Sequence, residues 1–365
     1  MIHPISLKWR RKLGMQAVFD GHNDVLLRLW QHARGGSDPI AEFIEGTEKG
    51  HIDVPRARAG GLAGGLCAIY IPSGDLVLRT PDKDGHYVTP LSEPLDRLPS
   101  LATAIELADI AMRLDRAGAW RLCRSTGEIR DAMADGIFAA VLHMEGCEAI
   151  GPDLAGLETF HAAGLRSLGP VWSRHNVFGH GVPFAYPSWP DTGPGLTEAG
   201  FELVRACNRL GILIDLAHIT EKGFWDVAET TDQPLVASHS NAHALTPVAR
   251  NLTDRQLNAI RESRGLVGLN YATTMLRADG QENAATPLSD MVRHVDYMVE
   301  RVGIDCVALG SDFDGATIPE EIADAAGNQK LVAALRSAGY GDRELRKICR
   351  ENWLRVLGKA WHEAA

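Results

Sequence analysis

The chain has 365 residues, 45% of them hydrophobic and 23% charged, an ordinary globular composition that supports a sizeable core. Forty-seven acidic residues against 37 lysines and arginines give a formal net charge of −10. That balance excludes nucleic acid as a partner, because phosphate binding calls for a basic face.

Residues 1–16, MIHPISLKWRRKLGMQ, are basic and lack the apolar run of a secretory leader. They read as an N-terminal arm or helix. No later stretch approaches the roughly 20 apolar residues of a membrane span, so the expectation is a cytoplasmic protein with no membrane partner. Beyond the arm, short apolar runs predict strands: AVF at 17–19, LCAIYI at 66–71, FAAVLHM at 138–144, LRSLGPVW at 165–172, ILIDLA at 212–217, PLVAS at 234–238, GLVGLNY at 265–271 and VALGS at 307–311. Amphipathic helical patterns lie between them, at 102–117, 197–211 and 253–263 among others, with Thr197 and Thr253 placed as N-caps. Continuous apolar strands alternating with helices predict a parallel sheet covered by helices. Eight such units predict an α/β chain of the (β/α)8 TIM-like barrel type, one domain over 1–365. The proline-rich stretches 72–100 and 179–196 read as long loops on the side of the barrel that shapes a site. The six cysteines include no CxxC pair, and Cys67 and Cys306 lie in apolar runs, which predicts buried thiols rather than a disulfide framework.

Residues able to bind metal recur directly after these strands. The first run leads into Asp20-Gly21-His22-Asn23-Asp24, where an HxD pair on an extended segment projects both side chains to one side. The third ends in Met144-Glu145-Gly146, the fifth in Ala217-His218, the sixth in Ser238-His239-Ser240 and the eighth in Ser311-Asp312-Phe313-Asp314-Gly315. Taken singly, each histidine reads as a structural side chain and each acid as a cap at a βα turn. Five strands ending in imidazole or carboxylate together point to a zinc-type shell at the C-terminal ends of the strands.

The DGHND, MEG, LAH, SHSNAH and GSDFDG segments, in that order, resemble the motifs of the renal (membrane) dipeptidases, a branch of the amidohydrolase superfamily. The resemblance runs from about residue 17 to the C-terminal RENWLRVLG segment. It implies a (β/α)8 barrel with two Zn²⁺ per chain, His22 and Asp24 on one ion, His218 and His239 on the other, and Glu145 bridging them. It implies that a metal-bridging hydroxide attacks the peptide bond of a dipeptide, one of the L-Xaa-D-Xaa type included. Asp312 matches the carboxylate that shuttles the proton, and Arg250, in VARNL, matches the arginine that binds the substrate carboxylate. A planar guanidinium suits that group through two parallel hydrogen bonds.

Three departures from the family bear on substrate choice. The histidine that follows the family's fourth strand falls on Ser173, with His175 two residues on; in an extended segment both project to one side, and His175 is the expected donor to the substrate carbonyl. The tyrosine four residues after the second zinc histidine is His243. Cys147 and Glu148 follow the MEG turn. Asn270 and Tyr271 complete the candidate substrate-binding set with Arg250, His175 and Ser173. A hydrolase of another small carboxylated amide, such as an N-acyl amino acid or a lactam, stays open as an alternative, as do a non-catalytic metal-binding protein and a homodimeric assembly.

Overall fold

In the computed structural model, which describes residues 15–74 and 80–363, the apolar runs become parallel strands. Residues 1–14 of the expected arm lie outside the described residues, and 15–16 are neither helix nor strand. The strands are β1 (Val18–Asn23), β2 (Leu62–Tyr70), β3 (Tyr87–Thr89), β4 (Trp120–Leu122), β5 (Phe138–Glu145), β6 (Leu165–Gly169), β7 (Phe184–Tyr186), β8 (Leu213–Ile214), β9 (Val236–Ala237), β10 (Leu266–Leu269) and β11 (Val307–Leu309). One parallel arc runs β1-β2-β5-β6-β8, with β4 paired beside β5, and a second runs β9-β10-β11.

Isolated bridges join the arcs at both edges. At one, Asp215 pairs with Val236 and the Leu216 N–H donates to the Val236 carbonyl at 2.7 Å. At the other, Asn23 pairs with Phe313, the Asp24 N–H donates to the Phe313 carbonyl at 2.8 Å, and the Asp312 N–H donates to that of His22 at 3.0 Å. The chain is thus an α/β fold built on a curled parallel sheet.

Period-two alternation explains why these strands read as unbroken apolar runs: both faces are covered. Val18, Leu62, Ile69, Ala140 and Leu142 pack in the large core shared with the helices, whereas Phe19, Leu66, Val141, Leu213, Val236, Leu266 and Ala308 meet on the inner face. The C-terminal helix Asn352–Ala360 plugs that inner cluster, and the Trp353 indole N–H donates to the Leu309 carbonyl at 2.9 Å. Gly21 is required here, because a Cβ would lie 2.2 Å from the Trp353 ring. Counting on by twos from the inner apolar residues gives His143 and Glu145 on β5, Asp215 after β8, Ser238 after β9, Asn270 after β10 and Asp312 after β11. One face therefore carries an apolar plug at its N-terminal end and polar side chains at its C-terminal end.

The expected helices form over Arg97–Arg116, Glu198–Leu210 and Asp254–Glu262. Thr197 accepts the Gly200 N–H, and Thr253 forms a reciprocal capping box with Gln256. The run at 165–172 leaves the ladder at Gly169, since Pro170 has no amide to donate. The two long loops pair with each other: β3 and β7 form an antiparallel ribbon, held by hydrogen bonds from the Tyr87 and Tyr186 hydroxyls to the Gly280 and Ala278 carbonyls.

Candidate metal centre and substrate cavity

Glu145, the last residue of β5, sits among three imidazoles. Its Oε2 lies 3.5 Å from His22 Nε2, and its Oε1 lies 3.1 Å from His218 Nε2 and 3.5 Å from His239 Nε2. Asp24 Oδ2 is 3.5 Å from His22 Nε2, and the Nε2 atoms of His218 and His239 are 3.1 Å apart. The donor atoms fall into overlapping sets, His22 with Asp24 and Glu145, and Glu145 with His218 and His239, each within 4.8 Å. All five side chains are buried.

These residues fit a metal ion on their own chemistry. Both ring nitrogens of His22 and one oxygen of Asp24 are buried without a hydrogen-bond partner, although buried polar atoms are normally paired. Burial opposes charge on His22, yet Glu145 and Asp24 outweigh it and hold its proton well above the ordinary imidazole range. The carboxylates thus draw positive charge to this point, where a cation would displace that proton. Burial lowers His218 to about 4 and depresses His239 as well, leaving the neutral imidazoles that metal binding requires. Burial raises Asp24 to about 7, with Glu145 adding to the shift.

Asp312 stands beside this cluster, within 4.8 Å of ring nitrogens of His22 and His239. The Asn270 amide donates to its Oδ2 at 2.9 Å, while Asn270 Oδ1 accepts the Ala272 N–H at 2.6 Å, so the amide cannot rotate away. Burial raises the Asp312 carboxyl against the pull of His22, and a raised carboxyl is one that can both take and give a proton. Behind it, Asp20 accepts the Ser311 N–H and hydroxyl, each at 2.7 Å, pinning β1 to the Asp312 turn.

Arg250 is buried, and burial lowers it to about 10. Its Nη2 donates to the His239 carbonyl at 3.2 Å and its Nη1 to Ser240 Oγ at 3.4 Å; among the described residues it has no carboxylate within 4 Å. It opens with Asp24, Glu145, His218 and Asp312 onto a cavity of about 790 Å³, whose other wall includes Tyr70, Trp172 and Phe184.

A sequence profile described as membrane dipeptidase (peptidase family M19) matches residues 10–365. The chain belongs to the membrane dipeptidase family. Among similar solved structures is a metallopeptidase from Rhodobacter sphaeroides liganded with a phosphinate mimic of the dipeptide L-Ala-D-Ala: 49% identity, a TM-score of 0.91, and coverage of 95% of this chain and 100% of that one. Another is the M19 metallopeptidase dipeptidase AC, 50% identical with a TM-score of 0.89, covering 95% and 99%. An uncharacterized protein encoded in the pqqA 5' region of Klebsiella pneumoniae is 49% identical over 247 residues, 68% of this chain and 91% of that one. The chain is accordingly a metal-dependent dipeptidase.

The departures from the family have local explanations. Ser173 does not face the cavity: its hydroxyl lies 2.8 Å from His218 Nδ1. His175 does not share its side. The Arg174 N–H closes a tight turn onto the Trp172 carbonyl at 2.7 Å, so the segment is bent rather than extended. His175 turns to the His180 ring, 4.5 Å away, outside the cavity lining. Glu148 forms a buried ion pair with Arg174 at 3.0 Å, and Arg174 also donates to the Ile71 carbonyl, tying together the ends of β2, β5 and β6. His243 Nε2 donates to the Ser188 carbonyl at 2.8 Å, anchoring the 179–196 loop. Asn270 reaches the site through Asp312 rather than through the cavity wall. Tyr271 is a core residue: fully buried, it packs against Phe313 and points its hydroxyl at Asn328.

Three residues beneath the cluster received no role from the strand-end motifs: His143 and Asp215, which lie outside them, and Ser238, which stands in one only as the neighbour of His239. All are buried, and Asp215 Oδ2 lies 3.6 Å from His143 Nε2. The signal for them is the alternation itself, since each shares the inner face with an apolar plug residue of its own strand.

Proposed function

We propose that this dipeptidase works with two zinc ions, bound by His22 and Asp24, by His218 and His239, and by Glu145 between them, and that its substrates are dipeptides of the L-Xaa-D-Xaa type. One observation carries the reading: the two oxygens of Glu145 face different imidazoles, His22 on one side and His218 with His239 on the other. When bound, zinc supplies a water acidified to about neutral pKa and a Lewis acid for the carbonyl. Arg250, unpaired and buried in the same cavity, takes the substrate carboxylate and so favours short substrates. Asp312, oriented by Asn270, accepts a proton from the attacking water and returns it to the leaving amine. The β3–β7 ribbon adds Tyr87, Thr89, Phe184 and Ala185 to the cavity wall. The mimic of L-Ala-D-Ala held by the Rhodobacter metallopeptidase supports the stereochemistry.

The same reading takes the two arcs as one closed (β/α)8 barrel and the chain as one catalytic domain, supported by the hydrogen bonds at both seams. It places the protein in the cytoplasm, where six buried, unpaired cysteines suit a reducing compartment. The decisive assay sets zinc-reconstituted protein against L,L-, L,D- and D,D-dipeptides and N-acyl amino acids, with metal analysis alongside. Turnover of L,D-dipeptides with about two zinc equivalents is expected, and Glu145→Gln should lower occupancy at both positions. Full activity with one tightly bound ion, or turnover of N-acyl amino acids alone, overturns the proposal.

A further inference from the structure

We propose that Ser238 and Asp215 are positioning residues of the metal centre, acting through His239; the inference rests on the reading of His239 as a ligand. Asp215 Oδ1 accepts two main-chain amides, Ser238 N–H at 2.7 Å and Ala217 N–H at 3.1 Å. Its Oδ2 lies 2.5 Å from Ser238 Oγ, and Ser238 Oγ lies 2.7 Å from His239 Nδ1. Two oxygens 2.5 Å apart need a proton between them, and the carboxylate, already an acceptor twice, takes the one on the serine hydroxyl. Ser238 Oγ has then spent its only proton, so its contact with His239 must be an acceptance of the Nδ1–H.

That fixes the His239 tautomer. With the proton on Nδ1, Nε2 presents a bare lone pair toward Glu145 Oε1 and His218 Nε2, where the donor atoms converge. Metal-binding histidines commonly donate their other N–H to a carboxylate or carbonyl, which sets the tautomer and raises ligand basicity. Here a serine hydroxyl is inserted between imidazole and carboxylate. All three side chains are buried, so water does not readily substitute for the hydroxyl. The arrangement is asymmetric: the described contacts of Ser173, at His218 Nδ1, include no such carboxylate behind it.

The test is a chelator-competition titration of metal-free protein with zinc alone, read as zinc affinity rather than turnover, on wild type, Ser238→Ala, Ser238→Thr, Asp215→Asn and His239→Ala. Ser238→Ala should weaken zinc binding by about 10- to 100-fold, the usual effect of losing such a partner, and Ser238→Thr, which keeps the hydroxyl, should restore it. Asp215→Asn should bind at least as weakly as Ser238→Ala. Its amide N–H₂ on Ser238 Oγ would free the hydroxyl to donate to Nδ1 and move the imidazole proton onto Nε2. Wild-type affinity in Ser238→Ala, alongside a loss in His239→Ala, overturns the relay and leaves the ligand reading intact. Equal losses in Ser238→Ala and Ser238→Thr would assign the effect to packing and also overturn it. Wild-type affinity in His239→Ala would instead remove the ligand reading beneath it.

Discussion

Replacing Arg250 by methionine separates substrate recognition from structural support. The guanidinium makes two long neutral contacts, at 3.2 and 3.4 Å, and its Nε is buried without a partner. Among the described residues its charge therefore has no carboxylate within 4 Å, and the proposal gives that place to the substrate's. A hydrogen bond to a charged group is worth about 1.5–3 kcal/mol, which at 1.36 kcal/mol per decade is about 10- to 160-fold in kcat/KM. Arg250→Met also removes the bond to the His239 carbonyl, so a simple loss of activity would be ambiguous. A cycle of two enzymes and two substrates removes that ambiguity, because structural damage falls on both substrates alike. The pair is a good dipeptide and the same dipeptide with its C-terminal carboxylate amidated. In wild type, amidation should lower kcat/KM by about 10- to 160-fold; in Arg250→Met the two substrates should differ little. Equal amidation penalties in the two enzymes would refute the assignment, however inactive the variant is.

Asp312→Asn should keep its metal and lose kcat by about 10²-fold or more; near-normal turnover with metal intact would assign the proton transfer elsewhere. Ser173→Ala should weaken zinc retention through His218 while His175→Ala leaves both metal and kcat near wild type, an order reversed if His175 donates to the substrate. Burial lowers His294 to about 4, and it sits neutral in the core, with Nδ1 accepting the Ala242 N–H and Nε2 donating to the Leu276 carbonyl. The unfolded chain therefore binds more protons between pH 6.5 and 4. The His294 contribution is full above that window and is lost as pH falls through it, so urea melts of His294→Gln should show a flatter stability profile there than wild type.

Much of this was legible because the inner face obeys one rule. Strands alternating with helices were visible as apolar runs, and the ligand-type residues His22, Asp24, Glu145, His218, His239 and Asp312 were visible as motifs at the ends of those runs. What the motifs hid was the layer beneath. His143 and Asp215 lie inside runs that scan as apolar, Ser238 stands in its motif only as the neighbour of His239, and nothing local marks the three as facing one another across three strands. The geometric premise for His175 went astray for a different reason: it assumed extended backbone through 173–175, and the Arg174 N–H to Trp172 carbonyl turn bends the segment instead. Tyr271 is next to Asn270 in the sequence but faces the other way: just past β10, Asn270 turns in to Asp312 and Tyr271 turns out to Phe313.

Alternation does not account for every candidate donor, because some stand on turns that have left the strands. His218, Asp312 and Asp314 have φ values of 66°, 60° and 67°, in the left-handed region that costs a non-glycine residue on the order of 1–3 kcal/mol. At His218 the chain has left the β8 ladder, and its carbonyl is taken by the Val182 N–H at 2.8 Å, which holds the turn. At Asp312 the carbonyl accepts the Gly315 and Ala316 amides at 3.1 and 3.2 Å. Gly315 is itself demanded by the site: a Cβ there would lie 2.2 Å from Asp24 Oδ2 and 2.6 Å from Asp312 Oδ1. Alternation accounts for Glu145 and Asp312 on the inner face, whereas His218 falls out of step with Leu213 and Asp215. His218 and Asp312 stand on left-handed turns past the strand ends, and Gly315 leaves room for the carboxylates of Asp24 and Asp312 to approach. Strain of this kind persists only where the surroundings over-determine it. The hydrogen bonds that hold these turns therefore help to keep His218 and Asp312 beside the candidate donor cluster.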